Sequence, residues 1–130
     1  MNKVVFAFVR ANPVSEAHET IVKKVIVTAR TLNAIPRLYL SHTLNESTDP
    51  LNYSEKIKYA REAFGNIVYE SNASSIVEVL RNLQTEGADS VTLVTSTDKL
   101  TPLRDLVESQ NGKEYRFQDI NVIAANTLDP

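Results

Sequence analysis

The chain has no cysteine and no tryptophan. Without thiols there is neither a disulfide framework nor a thiolate metal cage, and the only two histidines, His18 and His42, lie far apart in the chain. No metal site is expected. Glycine is also scarce: there are three in 130 residues, and the first is Gly65. A Gly-rich phosphate loop after the first strand is therefore excluded. With it go GxGxxG dinucleotide binding and the Walker P-loop, which both bring backbone against phosphate where a Cβ would intrude. Long apolar runs are missing as well. The run Val4 to Val9 holds six residues before Arg10, too few for a signal h-region or a membrane span. Neither sign of charge dominates, with 14 basic against 16 acidic residues and a net charge of -2, so the footprint for wrapping nucleic acid is absent. These absences suggest a cytoplasmic protein, with no membrane and no nucleic-acid partner. A local anion pocket remains open to it.

At this length the chain is one domain that buries roughly two-thirds of the surface its unfolded form exposes. Short β-branched apolar runs recur at Val4 to Val9, Arg37 to Ser41, Asn66 to Glu70, Ser90 to Thr95 and Ile120 to Ala124, and each reads as a strand. Helical periodicity fills the gaps. Ser15 is a candidate cap for a helix with His18, Ile21, Val22, Val25, Ala29 and Leu32 inward. Ser54, with Tyr53 as a staple residue before it, would cap a second helix burying Ile57, Ala60 and Phe64 and stopping at Gly65. A third carries Ile76, Val77, Leu80 and Leu83 and ends at Gly87. In a fourth, Thr101 caps, Pro102 takes the first helical position, Leu103, Leu106 and Val107 face inward, and Gly112 is the stop. Strand and helix in alternation predict a parallel sheet covered on both faces. The expectation is a Rossmann-like α/β domain with five parallel strands.

Ligands of open parallel sheets bind outside the carboxyl ends of the strands, where the winding reverses. That rule selects Arg10, Asn12, Pro13, Ser15 and His18 after the first strand and Ser41 and His42 after the second. It adds Ser96, Thr97, Asp98 and Lys99 after the fourth, and Asn126 after the fifth. The stretch FVRANPVSEAHETIVKKV passes from a buried strand through a Pro-fixed turn into a helix with His18 in its first turn. Free N–H groups and the helix dipole there attract phosphate. In the plainer reading, Ser15 only caps and His18 only packs. Lys23 and Lys24 read as solvated surface, and His42 as an exposed residue at the start of a polar loop spanning 42 to 53.

Residues 8 to 25 resemble the GRFNPxTxGH or GxFxPxHxGH signature of the HxGH nucleotidyltransferases, most closely the small nucleotidyltransferase-like proteins of bacteriophages. DPLNYSEKIKYAREAFGN, residues 49 to 66, is similar to that group's DPxxxPLSYEEK and AFG segments, and VTSTDKL, residues 94 to 100, to its VGSDR-like turn. The resemblance implies a sheet in the order 3-2-1-4-5 and transfer of a nucleotidyl group from a nucleoside triphosphate to a phosphorylated acceptor, with magnesium and release of pyrophosphate. It implies catalytic roles for His18 and Ser15, with nucleotide contacts from Arg10, Asn12, Pro13, Ser96, Thr97, Asp98 and Lys99. Self-association or a protein partner, in the host cytoplasm or a virion, would also follow, and Leu100, Leu103 and Tyr115 are candidates for an apolar docking surface.

The departures from that pattern are specific. Val9, Ala11 and Ala17 replace a Gly, a Phe and a Gly; Ser96 replaces a Gly; Lys99 replaces an Arg. The lysine of the DPxxxPL loop has no counterpart, although Lys56, Lys58 and Arg61 follow shortly. Residues 1–130 read as one domain ending before the ISSTxxR-type motif that clamps the outer phosphates. The expectation is a degenerate site, weakly active or inactive, the alternative being a non-catalytic structural or interaction module.

Overall fold

The computed structural model describes residues 2–10, 15–42 and 51–127. The elements run β1 (Lys3–Val9), α1 (Glu16–Leu32), β2 (Ile35–Leu40), α2 (Tyr53–Phe64), α3 (Ile76–Thr85), β3 (Ser90–Thr95), α4 (Leu100–Gln110) and β4 (Asp119–Ala124), with 3-10 turns at Gly65–Ile67 and Thr97–Lys99. All strands pair in parallel, in the order β2-β1-β3-β4. The architecture is Rossmann-like α/β.

Alternation along the strands sorts the core into two layers. Val5, Ala7, Leu38, Leu40 and Val94 pack under α1 and α2, against Ile21, Val22, Val25, Ile57 and Ala60. Val4, Phe6, Tyr39, Val91, Leu93 and Val122 pack under α3 and α4, against Val79, Leu80, Leu83 and Val107. Phe6 is fully buried and meets the Tyr39 ring edge-on with centroids 5.7 Å apart. Truncating Phe6 to alanine would cost on the order of 3–5 kcal/mol.

The described sheet has four strands where the sequence predicts five. Gly65, at φ 76°, ends α2, and the chain then winds through Gly65–Ile67 instead of extending at Asn66. Only one parallel bridge forms, between Val68 and Leu38, with the Tyr69 N–H donating to the Leu38 carbonyl at 2.8 Å. The partner strand hinders further pairing toward its N-terminal end. Ser41 N–H donates inward to the Val9 carbonyl at 2.9 Å, and Leu38 accepts outward, so even-numbered β2 residues face the open edge. Pro36 is one of them. It has no N–H to offer a further strand.

Two predicted caps also shift. Asn52, not Ser54, caps α2: its side chain accepts the Glu55 N–H at 2.9 Å, and its own N–H donates to Glu55 Oε1 at 3.2 Å. Tyr53 is thus the first residue of the helix. The turn at Thr97–Lys99 runs directly into α4, so Thr101 caps nothing and Pro102 sits third in the helix. Proline is tolerated there because first-turn N–H groups have no acceptor within the helix. Of the predicted apolar surface of Leu100, Leu103 and Tyr115, Tyr115 belongs instead to the core, and the two leucines pack half-buried against the same core. Among the described residues, no helix is long and apolar enough to cross a membrane.

Candidate functional site

After β1 the chain crosses on one face of the sheet to β2, and after β3 it crosses on the other face to β4. The winding therefore reverses between β1 and β3. In sheets of this kind a ligand crevice usually lies at such a point, outside the carboxyl ends of the strands. Backbone hydrogen bonds tie this edge together: Ser41 N–H to Val9, Ala125 N–H to Thr95 at 2.8 Å, and Thr97 N–H to Thr127 at 2.7 Å.

The first turn of α1 stands over this edge on the face shared by Val94. Ser15 is extended, with φ -133° and ψ 172°, and His18 is the third helical residue, as the sequence predicts. The residue is 4% exposed. Its Nδ1 accepts the Ser15 backbone N–H at 3.0 Å and lies 3.1 Å from Ser15 Oγ. This is the reciprocal half of a capping box, with histidine where Glu or Gln is usual. Because Nδ1 accepts, the neutral ring carries its proton on Nε2. His18 is thereby suited to donate from Nε2 to a negative oxygen, whereas taking a proton at Nδ1 would break the cap.

Across the crevice, Ser96 continues the extended backbone of β3, with φ -70° and ψ 157°. Alternation places it on the α1 face, as it does Val94. The residue is 2% exposed, and among the described residues its Oγ is the one buried side-chain oxygen or nitrogen with no hydrogen-bond partner. Thr97, Asp98 and Lys99 are exposed on the rim, and Arg10 is exposed at the end of β1. Asn12 and Pro13 lie outside the described residues. Topology thus brings Ser15, His18 and Ser96 to one edge, with Arg10 and Thr97–Lys99 around it.

Sequence reasoning missed a second polar cluster at the neighbouring strand end. Lys56 is fully buried, and its Nζ donates to the Ser41 carbonyl at 3.3 Å and to Ser41 Oγ at 3.1 Å. The available signal was its position next to Ile57 and four residues before Ala60, on the inward face of α2. A lysine there reads as surface by type alone. His42 is half-buried, not exposed: its ring stacks on Tyr53 with centroids 3.7 Å apart and planes at 13°. Both rings hold Ser71, His42 Nε2 donating to its carbonyl at 2.7 Å and its N–H donating to Tyr53 Oη at 2.8 Å. Burial pushes the Tyr53 phenol above its ordinary value.

No group of three or more His, Cys, Asp or Glu residues that could hold a metal stands among the described residues. Away from the switch point, a groove of about 400 Å³ runs beside α3 between Tyr39, Tyr69, Asn82 and Glu86. No protein-family model matches the chain, and no curated protein matches it.

Proposed function

We propose that this chain is a nucleotidyltransferase-like domain whose switch-point crevice receives a phosphate-bearing ligand, a nucleoside triphosphate first of all, and turns it over weakly or not at all. The observation that carries the reading is the placement of α1: a 17-residue helix presents its first turn, with His18 in it, at the crevice between β1 and β3. The NPVSEAH pattern over residues 12 to 18 supports the same reading.

In the transfer, an acceptor phosphate oxygen forms a bond to the α-phosphorus while the bond from that phosphorus to pyrophosphate breaks. Little covalent chemistry falls to the protein, and positioning with charge stabilisation supplies most of the rate. In this reading the proton on His18 Nε2 would meet charge on the phosphoryl oxygens. Magnesium commonly binds through phosphate oxygens, water and one or two carboxylates, so it needs no preformed cage. Exposed Asp98 is the carboxylate nearest in sequence to Ser96.

The departures argue for low activity. A methyl at Ala17 stands where a glycine would let a nucleotide lie close. Losing a well-placed charge-stabilising donor costs on the order of 100-fold to 1000-fold in rate. A non-catalytic role as a structural or interaction module is favoured by one observation, the commitment of His18 Nδ1 to the cap of its own helix.

The test incubates the chain with magnesium, each triphosphate and a panel of phosphorylated acceptors, measuring pyrophosphate, while amide NMR follows binding. The expected result is turnover near background with weak triphosphate shifts at Ser15, His18 and Ser96. Robust turnover would overturn the low-activity half of the proposal. No shift at any of the three residues with millimolar triphosphate would overturn the site itself.

A further inference from the structure

We infer that Ser96 is a ligand-demanding residue of the switch-point crevice, its hydroxyl donating to an oxygen of a bound phosphoryl group and lacking a hydrogen bond in the free chain. The inference rests on the reading of the crevice as a phosphate site.

Buried serine hydroxyls ordinarily donate to a nearby carbonyl or bond another side chain. Ser96 does neither, although it is 2% exposed. Leaving a buried hydroxyl unpaired costs the free protein its full desolvation, whereas alanine at the same place would cost nothing of the kind. The free fold therefore gains nothing from this oxygen. A group that lowers the stability of the free protein and stands at the switch point is explained when the bound state completes its hydrogen bond.

The neighbours define what would complete it. Ser96 shares its face with α1, whose first turn, following β1, leaves N–H groups without an acceptor inside the helix. These groups are donors, and the acidic side chains of that turn, Glu16 and Glu19, are exposed to solvent. A hydroxyl on the same face as a helix N-terminus calls for an acceptor-rich partner, and a phosphoryl group offers several oxygens at once. A purely apolar or cationic ligand would leave the hydroxyl as it is.

Ser96→Ala is the test, because it removes the oxygen without adding bulk. Two readings are taken: the thermal midpoint of the free chain, and affinity for pyrophosphate and for magnesium ATP by titration. The midpoint should rise by roughly 3 to 5 °C, while affinity for both probes should fall about tenfold or more. A midpoint that falls or stays unchanged would overturn the inference, since the hydroxyl would then be satisfied without ligand. Equal affinity in Ser96→Ala and the unsubstituted chain would overturn it too, leaving the phosphate site standing. If the unsubstituted chain binds neither probe at millimolar concentration, the site reading fails and takes the inference with it.

Discussion

His18 Nδ1 accepts the backbone N–H of Ser15, the residue that begins its own helix, at 3.0 Å. The same ring is thus a structural cap at one nitrogen, with its proton on the other. His18→Ala should destabilise the fold by about 1 kcal/mol through the lost cap. His18→Gln should recover most of that, since a Gln oxygen can accept the Ser15 N–H. Thermal denaturation of both variants separates the roles: any turnover of the unsubstituted chain that survives in His18→Gln excludes the imidazole from catalysis.

Lys56 is a lysine with no exposed surface, held by the Ser41 carbonyl and hydroxyl. Replacement by methionine keeps an unbranched side chain one atom shorter but removes the donor to both oxygens. Urea denaturation of Lys56→Met should show a loss of roughly 1–3 kcal/mol. A stability equal to the parent would mean that the ammonium is dispensable to the β2 end.

Arg37 makes a two-pronged contact with Glu86 at 3.0 and 3.2 Å, and its guanidinium lies 3.9 Å over the Tyr69 ring. Arg37→Lys keeps the charge but loses the fork and the planar stack. We expect a cost of about 1 kcal/mol, and a coupling of about 0.5–1 kcal/mol between Arg37 and Glu86 in a double-mutant cycle. Zero coupling would reduce the pair to a surface coincidence.

Tyr115 donates its hydroxyl to the Val107 carbonyl at 2.6 Å, near the C-terminal end of α4. That carbonyl is one of the last four of the helix, which have no intrahelical donor. Burial pushes the phenol up to about 12. A raised phenol favours the neutral form in the folded state, so its contribution is complete below pH about 10. It is then lost as the pH rises through about 12. Tyr115→Phe should cost about 1 kcal/mol at neutral pH and should flatten the alkaline limb of a stability profile. An unchanged alkaline limb would refute the assignment.

The parts of the fold legible in sequence are those set by local periodicity. His18, Ile21, Val22, Val25 and Ala29 were predicted inward from spacing alone, and all five are buried; Leu32, last in that stripe, is 40% exposed at the end of its helix. Ser90–Thr95 matches its predicted strand to the residue. What failed depended on neighbours distant in sequence. Asn66 to Glu70 has strand composition, but the edge it meets, at Leu38, is one on which Pro36 offers no donor. Tyr115 looked like surface because nothing nearby in sequence reveals the Val107 carbonyl. At the candidate site, the first-turn position of His18 could be read directly. Its capping bond, the Lys56–Ser41 contact and the unpaired Ser96 hydroxyl arise from side chains meeting in space, which spacing does not encode.

Pro36 has a consequence beyond the strand count. Parallel sheets with an open side can recruit a strand from another molecule, and uninterrupted pairing there leads to edge-to-edge aggregation. On the outer side of β2, an incoming strand meets the bridge at Leu38 and, two residues earlier, a position with no N–H. Pro36, which denies an incoming strand one donor beside the bridge, thus also guards the outer side of β2 against unwanted partners.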